Sequence, residues 1–327
     1  MSAIRLTLAL GDYDHTRDVA QGVVRPEGIE LTWLNLPVEE IFFRFVKFAE
    51  WDVSELSFGK YVSFLSQDDR RFVALPVFLS RVFRHSSIYV RRDGPVRAPA
   101  DLAGKRVGVP EWAQTASIYT RGFINHELGI ALGDIEWIQA GVNEPGRVEK
   151  VALKLPAGVR YRPEPEKTLN GMLLAGELDA VLSARPPRGF PDDGIARLYP
   201  DYRSAEEAYF RKTGIFPIMH VLALRREVLD RDPWVAMNLF KAFDEAKRRS
   251  VARLTDITAS HAPLPWLGEY AAGMQALLGG ELWPYGVEPN RPTLEAFVRF
   301  AHEQGVCHRR LDVEELFPEQ VRTRFKV

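Results

Sequence analysis

Basic and hydroxyl side chains gather where the chain reads as strand ends. The run PVFLSRVFRHSSIYV from Pro76 sets Arg81, Arg84 and His85, with Ser86 and Ser87, between two apolar stretches. Guanidinium groups match carboxylates through paired hydrogen bonds, so two arginines and a histidine at this spacing suit a dianion. The same run also reads as a solvated connection between domains. The stretch DLAGKRVGVPEWAQTASIYTRGFINHEL from Asp101 predicts a strand over Arg106–Val109, a turn at Pro110 and a helix starting near Gln114 or Thr115. A strand that runs into a helix points free backbone N–H groups at the turn, where the helix dipole favours negative charge. Thr115 and Ser117 fall in that first turn, where they either cap the helix or touch a ligand. An ordinary strand–helix connection accounts for the stretch as well.

Further candidates share this placement. Arg147 closes the turn Asn143-Glu144-Pro145-Gly146-Arg147. Ser183 and Arg185 follow a buried strand over 178–182, which Pro186 and Pro187 stop. His220 ends the apolar run GIFPIMH, where a lone histidine is either a satisfied core group or a desolvated acid–base group. Asp12, Asp14 and His15 follow the first strand at its carboxyl end, the edge at which open α/β sheets bind ligands.

Other chemistries lack their signatures. There is no P-loop, no GxGxxG after a strand, no GxSxG elbow and no HExxH. His302 and His308 stand six apart, which is not a metal-ligand spacing, and no metal ligand is assigned. The only cysteine, Cys307, allows no internal disulfide and no cysteine-based cluster. A net charge of −1 gives no global attraction for nucleic acid or anionic membrane, so neither is expected as a partner. A hydrophobic share of 46% and a charged share of 27% are those of an ordinary globular protein.

Elements able to position these residues alternate along the 327-residue chain, which has room for two domains. Ile4, Leu6, Leu8 and Leu10 alternate with other residues as in a half-buried strand, and 28–34 repeats the pattern. Helical spacing over Val38–Phe48, a strand over 51–56, a helix from about Gly59 and a strand over 72–78 complete a first α/β unit. A second unit restarts after Gly94. It holds the Arg106–Val109 strand and its helix, a strand over 135–139, an irregular Pro/Gly-rich excursion over 155–165 and a helix over 168–174. From about Gly214 the chain returns to the first unit, with a helix from Asp232-Pro233 and a last one over 293–304. The expected lobes are 1–90 with 214–327, and 91–213 inserted between them. Two crossings near 89–95 and 209–220 would flank a ligand cleft. The start MSAIRLTLALGDYDHT is a strand pattern rather than a secretory signal, and no apolar run suits a membrane span. A cytoplasmic location is therefore expected.

The chain resembles the 4,5-dihydroxyphthalate decarboxylase family, within the type II periplasmic-binding-protein-like fold. The resemblance rests on LPVEEIFFRF from Leu36, WDVSELSFGKYVS from Trp51, PVFLSRVFRHSSIYVRRDGP from Pro76 and DLAGKRVGVPEW from Asp101. GIFPIMH from Gly214, DPWVAMNLFKAF from Asp232 and PYGVEPNR from Pro284 extend it over nearly the whole length. It implies non-oxidative loss of CO2 from a hydroxylated aromatic dicarboxylate, giving 3,4-dihydroxybenzoate. Direct departure of CO2 would leave an aryl carbanion that the ring cannot delocalise. A hydroxyl para to the leaving carboxylate can instead push electrons into the ring while an acid protonates the carbon that carries it. On this route His220 or His15 is the acid. Glu55 or Asp14 accepts the phenol, and Arg81, Arg84, Arg147 and Arg185 clamp carboxylates. His85, Gln114, Thr115, Ser117 and Ser183 complete the expected binding set. Trp112, in place of an expected tyrosine, would alter a ring contact to the substrate. The route requires no cofactor, although a divalent metal held by oxygen ligands and a histidine stays open. The implied partner is a small aromatic carboxylate, and a homo-oligomer is compatible with the sequence. Two other readings stand beside this one: a non-catalytic binding protein for an aromatic acid or other small anion, of the kind that serves transporters, and a different enzyme on the same fold.

Overall fold

The computed structural model describes residues 3–322. In chain order the strands are β1 (Ile4–Leu10), β2 (Ile29–Asn35), β3 (Val53–Ser57), β4 (Phe72–Arg81), β5 (Ile88–Arg91) and β6 (Arg106–Val109). They continue as β7 (Glu136–Gly141), β8 (Arg160–Thr168), β9 (Ala180–Leu182), β10 (Ile195–Arg197) and β11 (Ile218–Arg225). Two sheets result, with strand orders β2-β1-β3-β11-β4 and β10-β5-β9-β6-β7-β8. In the first sheet β1 runs parallel to β2 and β3, while β11 returns antiparallel between β3 and β4. In the second, β6 is parallel to β7 and β9, and β5 is antiparallel to β9 and β10.

Local sequence explains most of this. The near-continuous apolar run of β4 is buried on both faces, as a central strand must be. Pro76 cannot donate to a ladder, and the pairing of β4 with β11 shifts register around it. The irregular stretch of β11 spans Ile218 to Leu222 and so includes His220. A bulge of this kind re-aims a side chain beside a site.

Three features depart from the sequence expectations. Ile88–Arg91 pairs with β9 and β10, so the strand expected to end the first unit opens the second sheet instead. The chain therefore leaves the first sheet after Arg81, before the crossing expected at 89–95. The excursion over 155–165 runs into β8, whose prolines Pro163 and Pro165 sit on an edge strand paired only with β7. The helix Tyr202–Thr213, ended by the left-handed Gly214, packs on the 3₁₀ turn His85–Ser87 along the return path.

The helix Thr115–Leu128 fastens the two sheets together. Every residue from Thr115 to Ile124 is buried, because the helix packs on Phe58–Ser66 and on Arg291–Glu303 from the other lobe. A Cβ on Gly59 would lie 2.6 Å from the Ala113 carbonyl oxygen, and one on Gly122 2.3 Å from Phe300. Phe297 stacks on Phe58 at 4.5 Å and meets Tyr119 at a tilt, 4.7 Å away. One hydrophobic core consequently runs through both lobes on this side, and a smaller one covers the far face of the second sheet. Among the described residues no helix is long and apolar enough to cross a membrane.

Candidate active site

Beside that helix the lobes part into a cavity of about 180 Å³. Its walls come from the carboxyl ends of strands: Ser57 ends β3, Val142 follows β7, Ser183 follows β9 and Glu111 lies two residues beyond β6. This is the edge at which open α/β sheets present ligands to loops and helix N-termini.

His220 is the titratable ring in the wall. Its Nδ1 lies 2.6 Å from Oε1 of Glu55, which is itself fully buried. The Tyr13 hydroxyl donates to the same oxygen at 2.6 Å, and the Gly11 N–H donates to Oε2 at 3.0 Å. Burial works against charge on Glu55, but the bonds from His220, Tyr13 and Gly11 outweigh it and hold the carboxyl below its ordinary range. An ionised Glu55 fixes a proton on Nδ1 and leaves Nε2 as the nitrogen free for a ligand. Phe42 meets the His220 ring edge-on at 4.9 Å and supplies an apolar face.

Positive groups surround the rest of the cavity. Arg84 makes no ion pair among the described residues; its Nε lies 3.3 Å from Met219 Sδ. Burial pulls its guanidinium down to about 10. The N-terminus of Thr115–Leu128 opens on the same space through Gln114, Thr115 and Ala116, with no side chain capping it. Arg147 pairs with Glu111 at 2.8 Å, and Lys150 approaches the same carboxylate at 3.2 Å. Arg185 reaches Glu39 at 2.7 Å, an exposed bridge between the rims of the lobes.

The structure brings together His220, Glu55, Arg84, Gln114, Thr115, Arg147, Ser183 and Arg185. Thr115 presents its position more than its hydroxyl, which accepts from Gly59 N–H at 2.9 Å and lies 3.0 Å from Ser57 Oγ. Six expected residues lie elsewhere. Arg81 is buried, with its guanidinium on the carbonyls of Phe216 and Pro284 and 4.1 Å from the Phe216 ring. His85 stacks on Phe123 at 4.3 Å between Tyr199 and Tyr209. His15 is packed against Trp283 at 5.2 Å, and Asp14 turns to Ser250 and Arg17. Trp112 is fully buried, its indole N–H on the Gln304 carbonyl at 2.8 Å and its face 3.8 Å from the Arg121 guanidinium. Ser117 donates to Gln114 Oε1 at 3.2 Å and does not line the cavity.

Sequence reasoning missed Lys60, Glu111, Phe42, Met219 and Tyr13. Lys60 carried a signal: it is the lone charge in FGKYVSFLS, a helix that is otherwise apolar or hydroxylated. Glu111 follows the strand and turn that were singled out. As to metals, no three His, Cys, Asp or Glu side chains converge among the described residues.

No family model matches the chain. Over 332 aligned residues, which cover all of both chains, it is 37% identical to the 4,5-dihydroxyphthalate decarboxylase of Comamonas testosteroni. The chain belongs to the 4,5-dihydroxyphthalate decarboxylase family. A second member, from Pseudomonas putida, is 40% identical over 64% of this chain and 83% of its own. Solved structures place the family member in the periplasmic-binding-protein fold. The aliphatic sulphonate binding protein SsuA of Escherichia coli superposes with a TM-score of 0.56 at 11% identity, over 98% of this chain and 99% of its own. A Candida albicans protein described as having the generic periplasmic binding protein fold gives 0.52 at 10% identity, over 99% of each chain. At such identities the likeness concerns fold alone, and it agrees with the two-lobed type II architecture expected of this decarboxylase family.

Proposed function

We propose that this protein is a carboxy-lyase that converts 4,5-dihydroxyphthalate to 3,4-dihydroxybenzoate and CO2. Family membership over the full length supports the reaction. The observation that carries it at the level of chemistry is the Glu55-held His220 in a cavity that also contains the unpaired Arg84.

The reaction replaces a carboxylate by a proton on one ring carbon. His220, carrying a proton on each nitrogen, supplies the one on Nε2 and is left neutral with the other on Nδ1, where Glu55 holds it and fixes the ring plane. Arg84 and the first-turn N–H groups of Thr115 and Ala116 take the retained carboxylate, a match of charge-assisted donors to an acceptor-only group. Phe42 and Val38 give the departing carboxylate an apolar wall, where the outgoing CO2, being neutral, is favoured over the anion. Glu55 does not meet the phenol, because its oxygens are held by Tyr13, Gly11 and His220. Asp14 lies outside the cavity.

Incubation of the purified protein with 4,5-dihydroxyphthalate should release CO2 and 3,4-dihydroxybenzoate in equal amounts. Tight binding of the compound without either product would leave a binding protein and end this reading.

A further inference from the structure

We propose that Lys60 is a catalytic residue of this site, binding the ring oxygen para to the departing carboxylate and stabilising its negative charge; the assignment rests on the decarboxylase reading above.

The Lys60 ammonium faces the cavity with a single long ion pair behind it. Lys60 stands in the first turn of the helix Phe58–Ser66, three residues after Ser57, whose strand position is opposite His220. The residue is only 7% exposed, yet it lines the cavity. Its Nζ makes no hydrogen bond among the described residues, and the nearest carboxylate oxygen, Glu111 Oε2, is 3.5 Å away. That ion pair is longer than those of Arg147 and Lys150, which hold the other Glu111 oxygen at 2.8 Å and 3.2 Å. Glu149 is the second acid of the group, with one oxygen on the Ala113 N–H at 3.1 Å and the other on the Lys150 N–H at 2.9 Å. Three cations thus face two carboxylates, and Lys60 has the longest ion pair of the three. Burial, with Glu111 opposing it, also keeps this ammonium below the ordinary lysine range. An ammonium carries three N–H donors, so one long ion pair leaves donors for an acceptor that enters the cavity.

The reaction needs a donor of this type. The substrate binds with its para oxygen ionised, the phenolic proton having gone to solvent. An oxygen electron pair moves into the ring as the carbon bearing the leaving carboxylate takes a proton from His220. The resulting dienone oxygen stays on the Lys60 N–H. The bond to CO2 then breaks and its electron pair restores the aromatic ring, returning negative charge to the oxygen. Solvent protons regenerate the phenol and His220, so the cycle consumes one proton and releases one CO2. A preorganised N–H in a desolvated cavity is most effective where charge returns in this way. Arg84 and the helix N-terminus are left for the retained carboxylate.

The test is a binding panel with the intact protein and K60M, read by calorimetry beside turnover. K60M should lose roughly tenfold or more in affinity for 3,4-dihydroxybenzoate, the scale of one charge-assisted hydrogen bond. It should keep phthalate, which lacks the hydroxyls, within about threefold, because its carboxylates are held by other donors. The bound 3,4-dihydroxybenzoate should also show the ultraviolet spectrum of an ionised catechol at a pH lower by about one unit in wild type than in K60M. That spectral shift is read on the ligand and would not follow from general loosening of the fold. Equal losses for phthalate and 3,4-dihydroxybenzoate would assign Lys60 to a carboxylate and overturn the proposal, as would unchanged turnover and spectrum in K60M. Wild-type protein that fails to decarboxylate 4,5-dihydroxyphthalate would instead overturn the proposed function, and the Lys60 assignment with it.

Discussion

At the scale of single residues, the site separates groups that act on the substrate from groups that hold them. His220 touches the cavity, whereas Glu55 behind it is fully buried and meets only protein donors. His220→Asn should therefore keep substrate affinity within a few-fold and lower turnover by about 10²–10⁴, the usual share of general acid–base catalysis. Near-normal turnover in steady-state assays of that variant would remove the ring from the mechanism. Arg84→Ala should show the opposite pattern. It removes a cation that makes no ion pair among the described residues, so binding of the dicarboxylate in calorimetry should weaken roughly tenfold or more. Unchanged affinity would mean that the guanidinium serves only its contact with Met219. The charged residues were legible in the sequence as types, not as directions. Arg81 and Arg84 stand three apart in one basic run, yet Arg81 ends β4 and turns onto two carbonyls while Arg84, beyond the strand, faces the cavity. No local pattern distinguishes them, because the carbonyls of Phe216 and Pro284 arrive from more than 130 residues away.

At the scale of elements, the strand Arg106–Val109 and the helix from Thr115 occur where spacing and capping signals put them. Strand β8 was hidden by its prolines, and the Ile88–Arg91 pairing depends on the distant strands β9 (Ala180–Leu182) and β10 (Ile195–Arg197). The helix from Thr115 gave a weaker hint of its role. It carries no single apolar stripe, because Thr115, Ser117, Thr120 and Arg121 are buried beside its apolar residues between the two lobes. Gly59 is the place where that enclosure is tightest. Gly59→Ala should cost about 1–3 kcal/mol by overpacking against the Ala113 carbonyl. Gly273, in the exposed helix Leu267–Leu278 with nothing within 4 Å of its added Cβ, should instead gain up to about 1 kcal/mol when changed to Ala. Urea unfolding of the two variants beside wild type decides the matter; equal effects would contradict the packing of the two lobes at Gly59.

At the scale of the whole molecule, acid should loosen the fold. Burial lowers both His15 and His85 to about 4, below the ordinary histidine value of 6.5. Between those values the unfolded chain binds protons that the native rings refuse, so stability is fully present above about pH 6.5 and falls as pH drops toward 4. Each ring contributes about 1.4 kcal/mol for every pH unit in that window. Glu55 and Glu111, both held below the ordinary carboxylate range, add a further loss of the same sign below about pH 4.5. Urea midpoints should therefore decline from pH 7 to pH 5, and His85→Phe, which keeps the stack on Phe123, should flatten that decline. A midpoint independent of pH in wild type, or an unchanged slope in the variant, would contradict the buried neutral state of these rings.

The central claim, that His220 delivers a proton to the ring carbon that loses CO2, is tested most directly in D2O. Wild-type protein given 4,5-dihydroxyphthalate should produce 3,4-dihydroxybenzoate with one deuterium on the carbon that carried the departed carboxylate, seen by proton NMR. His220→Asn should form this product at least about a hundredfold more slowly under the same conditions. No product from wild type, or equal rates of labelled product from the two proteins, would contradict the account.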